Sequence, residues 1–330
     1  MKQKVTAVAC AIGMAISASA FADTEADVKN LQAEVEQLKQ DVKDAKEWKD
    51  PTTLVHFAGY ASVGFFDTAK DTNDSNGKPT FAVGNFSPIF HFMYSDFLML
   101  EAELELQVDA EGSTEVALEY LSIDLFLNDY MALVAGKFLS PLGQFRQNLH
   151  PSWINKMATA PAGFGHDQAA PNAEIGVMLR GGVPMGAGTG NYAVYVGNGP
   201  ALEPNTIGNE IEGIETPGLN SNIDGQMVGG GRLGWFNPAW KFEFGLSGAT
   251  GKAAIIGDAS DPSRDYRVTG ADFVWRPGSF EVRGEYIKQD IGDQPGSVAP
   301  EGGIWQAWYI QVAYRFPQSA WEPVLRYGEY

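Results

Sequence analysis

The sequence predicts an all-β chain: a transmembrane antiparallel β-barrel preceded by a short coiled-coil helix. Three observations carry this reading. First, the stretch 97–127, FLMLEAELELQVDAEGSTEVALEYLSIDLFL, alternates with a period of two. Leu98, Leu100, Ala102, Leu104, Leu106 and Val108 fall on one face; Met99, Glu101, Glu103, Glu105, Gln107 and Asp109 fall on the other. Successive side chains of a strand point to opposite faces, so this is a ribbon with one apolar and one ionised side. Such a ribbon needs two solvents, and a barrel wall supplies both, with lipid outside and water inside. Second, the connections sort by length. Short ones (94–97, 128–130, 237–240, 276–279, 316–320) alternate with long ones (68–80, 140–171, 200–224, 251–264, 290–303), the 110–113 turn being the exception. Short turns on one rim and longer loops on the other are what an outer-membrane barrel shows. Third, aromatics gather at strand ends, among them Phe92, Tyr94, Trp235, Trp240, Trp275, Phe316 and Trp321, as an interfacial girdle would require.

The elements follow in order. Residues 1–22 read as a secretory signal: Lys2 and Lys4 at the start, an apolar centre from Val5 to Ile16, and Ala20-Phe21-Ala22 before the cut. Cys10, the single cysteine, lies in that centre behind a poor lipobox, so the mature chain has neither disulfide nor thiolate chemistry. The formal charge of −18 becomes more negative once the two lysines leave, which excludes a nucleic-acid partner. The mature chain has no apolar run of the ~18 residues that a spanning helix needs.

Residues 23–50 contain no glycine and carry a 3,4 repeat. Val28, Leu31, Val35, Leu38 and Val42 form a heptad seam with valine at a and leucine at d. Glu34 and Asp41 at g face Lys39 and Lys46 at e of a parallel neighbour, which points to self-association in the periplasm. Taken alone, the seam leans towards two strands.

From residue 51 the texture is β. Strands are predicted near 54–67, 81–94, 97–109, 114–127, 130–139, 172–183, 190–199, 225–236, 240–250, 265–276, 279–289, 304–316 and 320–330. That is about thirteen, where bacterial single-chain barrels have an even number, so the chain reads as truncated, lacking about three strands of a roughly sixteen-strand barrel. If each apolar face meets lipid, the other lines the lumen. That face holds Glu101, Glu103, Glu105 and Glu119 on one wall, and Arg232, Arg283, Arg315 and Arg326 on later strands. Opposed charges across a water-filled throat set up a transverse field that orients dipolar solutes; the bland alternative is a set of charges that solvate a wide lumen or pair within the wall. The four histidines are dispersed and no metal site is expected; no cofactor is expected either. Gly186-Ala187-Gly188-Thr189-Gly190 is a turn and not a nucleotide loop, since no helix follows it.

The stretches AGKFLSPLGQF (135–145), LHPSWINK (149–156), APNAEIGVMLRGGVP (170–184) and WEPVLRYGEY (321–330) resemble the phosphate-selective O/P-type outer-membrane porins. The helical extension after the signal is similar to that of trimeric dicarboxylate-type porins. The resemblance implies a homotrimeric, sixteen-strand diffusion channel in the Gram-negative outer membrane, without catalysis, passing small hydrophilic solutes or ions, including anions such as phosphate or dicarboxylates. It also implies that the third outer loop, 140–171, folds inward as the constriction, with Arg146, His150 and Lys156 at the throat and Trp153 and Phe164 packing it on the wall. The dense arginine and lysine ladder of the selective members is not seen here. Two other readings stand beside this one: a barrel enzyme, and a structural or adhesive barrel without a channel.

Overall fold

A computed structural model describes Ala33, Glu36, Gln37 and residues 53–67, 79–205 and 207–330. Ala33, Glu36 and Gln37 are helical and exposed, and they fall outside the a and d positions of the predicted heptad. The seam itself, Val28, Leu31, Val35, Leu38 and Val42, lies outside the described residues, as does the signal segment.

Among the described residues, thirteen strands form the wall: β1 (Thr53–Phe66), β2 (Thr80–Tyr94), β3 (Leu98–Val108), β4 (Thr114–Asn128), β5 (Met131–Leu139), β6 (Ala173–Met185), β7 (Gly188–Asn198), β10 (Met227–Asn237), β11 (Phe242–Ile255), β12 (Arg264–Trp275), β13 (Phe280–Ile291), β14 (Gly303–Tyr314) and β15 (Val324–Glu329). Each is hydrogen-bonded to the next in chain order. Apart from β15 they have nine to fifteen residues, enough to cross a bilayer at a tilt. The expected strands are recovered within a few residues. Two further short strands were not foreseen. β8 (Ala201–Pro204) and β9 (Ile211–Glu215) form a hairpin inside the long connection after β7, and β8 runs parallel to the end of β11.

Two details depart from expectation. The last strand begins at Val324, after a nine-residue connection that contains Pro317 and Pro323, neither of which has a backbone N–H to extend the ladder. Within β4 the alternation of faces slips at Glu119-Tyr120. The register runs Glu103↔Tyr120 and then Leu104↔Leu118, a bulge that inserts one residue. Tyr120 therefore shares the inner face with Glu103, and Leu121 and Ile123 take over the outer face.

The outer face is apolar and open: Val116 and Leu233 are 64% and 65% exposed. The inner face buries charge: Glu103, Asp124 and Arg283 are at most 1% exposed. This inverts the usual distribution of a water-surrounded domain and fits a wall facing lipid. Aromatic pairs collect at the short-turn rim, including Tyr94–Phe97, Trp235–Trp240, Phe280–Tyr314 and Tyr314–Phe316. The core lies inside the sheet. Leu142, Phe145, Leu149 and Phe164 of the 140–171 loop are buried with Met178, Ile287 and Tyr309 of the wall. The same loop contacts β3 and β4 on one side and β13, β14 and β15 on the other, so the sheet curls around it.

Candidate functional site

The loop's local sequence sets its path. Phe145–Leu149 forms one π-helical turn, and His150 Nδ1 lies 2.6 Å from the Arg146 carbonyl. Pro151 then starts a second turn, Ser152–Asn155, which Lys156 closes in a left-handed conformation with its N–H donating to the Ser152 carbonyl. Phe145 and Phe164, one on each limb, meet Tyr309 edge-on at 6.3 and 5.1 Å between ring centroids. Trp153, expected to pack the loop, is instead 70% exposed; Leu142, Phe145 and Leu149 do that work, on the buried side of the turn.

One flank is bolted to the wall through the loop backbone. Glu285 accepts hydrogen bonds from the Gln144 and Phe145 amides at 3.2 and 2.9 Å. Arg283 donates to the carbonyls of Ile154 (3.1 Å) and Asn155, and Gln311 Nε2 donates to the Asn155 carbonyl at 2.8 Å. Arg326 donates to the Thr159 carbonyl at 2.8 Å and to the Asn155 side chain. Lys156 reaches Glu322 (2.6 Å) and Glu281 (3.3 Å) near the short-turn rim. The Lys156 bond holds the Glu322 carboxyl below its ordinary range.

The opposite flank faces acids. Glu103 accepts from Tyr60 at 2.8 Å and lies 3.7 Å from His150 Nε2. Glu105 and Glu119 each lie 3.5 Å from His166 Nε2. Three cavities follow one another along this flank. The first, of about 240 Å³, holds Glu105, Glu119, Arg146, His150 and His166. The second, of about 180 Å³, is lined by Glu101, Glu103, Tyr120, Gln147, His150 and Arg180. The third, of about 620 Å³, opens among Gln147, Arg180, Arg232 and Arg276 by the turns at Asp129 and Arg276. His150 is common to the first two, and Gln147 and Arg180 to the last two. The smallest lies in the middle.

The expected site residues therefore divide. Glu101, Glu103, Glu105, Glu119, Arg146 and His150 meet along one flank of the loop. Arg232 borders the largest cavity but is held within the wall by Asp272 (2.8 and 2.6 Å) and Glu243 (3.2 Å). Arg283, Arg326 and Lys156 anchor the other flank. Arg315 is in no strand: it lies in the β14–β15 connection, 3.4 Å from Glu322 with its side chain 58% exposed. Two further residues join them. Arg180, which the sequence did not single out, pairs with Asp124 beside the smallest cavity. Its inward position was readable, since it shares parity with Glu174 and Met178 on β6. The second is His166, which the sequence places on the same loop without a partner and the fold brings to two glutamates.

Similarity to known proteins bears on the fold alone. No family model matches the chain, and no curated protein matches it by sequence. Among solved structures, an anion-selective porin from Comamonas acidovorans superposes with a TM-score of 0.53 at 13% identity, covering 84% of this chain and 78% of that one. A Salmonella typhi OmpF in complex with daunomycin aligns at 14% identity over 85% of this chain and 79% of that one, with a TM-score of 0.46. The trimer form of Vibrio cholerae OmpT aligns at 13% identity over 84% and 89%, with a TM-score of 0.42. The first of these places the sheet among porin-like barrels.

Proposed function

We propose that the chain forms a passive outer-membrane channel for small hydrophilic solutes and ions, without catalysis. The observation that carries this reading is the 140–171 loop, laid inside the sheet and fixed on one flank while the other leaves three neighbouring polar cavities. In this reading solutes pass along the acidic flank. Glu101, Glu103, Glu105 and Glu119 line the path, Arg146 and His150 face them from the loop, and the throat lies beside Glu103 and His150. Arg283, Arg326 and Lys156 hold the constriction in place and do not meet the solute. The charge along the path then favours cations, because four carboxylates outweigh Arg146, and Arg180 is matched by Asp124.

The protein resides in the outer membrane of a Gram-negative bacterium, with lipid against the apolar face and the N-terminal helix in the periplasm. It assembles as a homotrimer, for which the resemblance of its barrel motifs to trimeric porins is the ground; the coiled-coil seam supports self-association without setting the number of chains. Liposome swelling tests the channel. Vesicles carrying the folded protein swell in small sugars and amino acids at rates that fall steeply with solute size. Vesicles that swell no faster than protein-free ones contradict the reading.

A further inference from the structure

The proposed channel gives His166 no role, and the geometry of its cluster with Glu105 and Glu119 is specific. His166 Nε2 lies 3.5 Å from Glu105 Oε2 and 3.5 Å from Glu119 Oε1, and the three donor atoms all lie within 4.8 Å of one another. Ligands of a tetrahedral zinc ion, bonded at about 2.0–2.1 Å, are about 3.4 Å apart. The donors come from β3, β4 and the loop, so only the folded chain assembles them. We propose that Glu105, Glu119 and His166 bind a divalent transition-metal cation of the zinc type, which ties the 140–171 loop to the acidic wall.

Three further observations support this. One imidazole with two carboxylates suits zinc and its neighbours better than calcium, which takes six to eight oxygens. The second ring nitrogen is also held. His166 Nδ1 is 3.1 Å from the side-chain amide of Asn172, a residue 2% exposed whose other amide atom has no partner. A half-turn of the Asn172 amide exchanges its oxygen and nitrogen. With the oxygen turned to the ring, Nδ1–H donates to it and the Nε2 lone pair faces the glutamates, the arrangement usual behind a metal-bound histidine. Finally, the cluster opens onto the 240 Å³ cavity, which leaves room for a fourth ligand and a route of entry. Arg146 borders the same cavity, 5% exposed, with Nε and Nη2 lacking partners. Its charge opposes a bare cation, but its free N–H groups suit an anionic oxygen in the open position.

A protonated His166 between two carboxylates would use the same distances, and the experiment separates the two. The full chain, folded in detergent and stripped with a chelator, is titrated calorimetrically with zinc chloride at neutral pH. Saturable binding is expected, weakened by about tenfold or more in H166N and in E119Q and unchanged in H91N, which disrupts the separate His56–His91 pair. Zinc-edge X-ray absorption on the unmutated protein, which needs no variant to fold, should show a single imidazole. Absence of saturable binding, binding unaffected by H166N, or a two-imidazole spectrum pointing to His56 and His91 overturns the proposal. Binding is read without conduction, so it stands or falls separately from the channel.

Discussion

Glu103 sits where three parts of the chain converge. It is 1% exposed, accepts a hydrogen bond from Tyr60 of β1, faces Tyr120 of β4 across the bulge, and lies 3.7 Å from His150 of the loop. A carboxylate so placed sets the local potential of a narrow passage. Replacing Glu101, Glu103 and Glu105 together by glutamine keeps the side-chain volume and removes the charge. The expected outcome is loss of most cation preference with little change in conductance, read from zero-current potentials. Unchanged selectivity would mean that these charges only solvate the wall.

Gly143 makes a different residue-scale prediction. Its φ is +86°, and a Cβ there would collide with Glu285 Oε1, the partner of the Oε2 that accepts from the next two amides of the loop. Gly143→Ala should therefore detach the start of the loop, lower the melting temperature and increase proteolysis within 140–171. Wild-type protease resistance would contradict this. Residue-scale orientation was largely legible beforehand. Strand parity alone put Glu103, Arg232, Arg283 and Arg326 inward. Parity says nothing about partners, however, and Arg283 and Arg326 spend their donors on loop carbonyls more than a hundred residues away in sequence. Strict alternation with Leu118 would put Tyr120 outward; one bulge reverses the alternation, and the jump from Leu118 to Leu121 in the apolar pattern is its trace.

The 140–171 loop is the element on which the proposed function turns. It is held by apolar burial at Phe145 and Phe164 and by charged donors on one wall. Arg283→Met keeps much of the volume and removes hydrogen bonds to two loop carbonyls. Hydrogen bonds to charged groups are each worth about 1.5–3 kcal/mol, so the loop should loosen and single-channel conductance should rise and become noisier. A wild-type conductance trace would show that the loop is held without this arginine.

The β8–β9 hairpin gives a pH prediction. Glu215 faces Glu203, and that hydrogen bond, with lesser contributions from burial and repulsion, raises its pKa to about 7. A carboxyl with a raised folded-state pKa imposes no penalty below its ordinary value near 4.5, and destabilises increasingly as pH rises through about 7. Amide exchange over 201–215, corrected for intrinsic rates, should therefore accelerate from mildly acidic to mildly basic pH, and E203Q should flatten the change. Protection independent of pH in the unmutated protein would contradict it. This hairpin was invisible in the sequence because its strands are only four and five residues long, too short to display a period.

At the scale of the whole molecule the wall was the most legible part. A two-residue period repeated over twelve long strands and a shorter last one, with rims sorted by loop length, leaves few architectures that satisfy every strand at once. The interior was less legible, because the inner faces see one another only after the sheet has curled around the loop. The sequence-level picture of an acidic wall opposed by free arginines accordingly gives way to an acidic flank beside a loop that those arginines hold in place. The heptad seam expected at Val28–Val42 concerns assembly, and crosslinking of the full chain before and after removal of residues 23–50 would show whether that segment drives self-association.

The most direct test is the zero-current potential of the folded protein in a planar bilayer across a potassium chloride gradient. Passage along Glu101, Glu103, Glu105 and Glu119 predicts discrete conductance steps and a cation-selective potential. An anion-selective potential, with current blocked by phosphate or a dicarboxylate, would contradict it and place the arginines in control of the path.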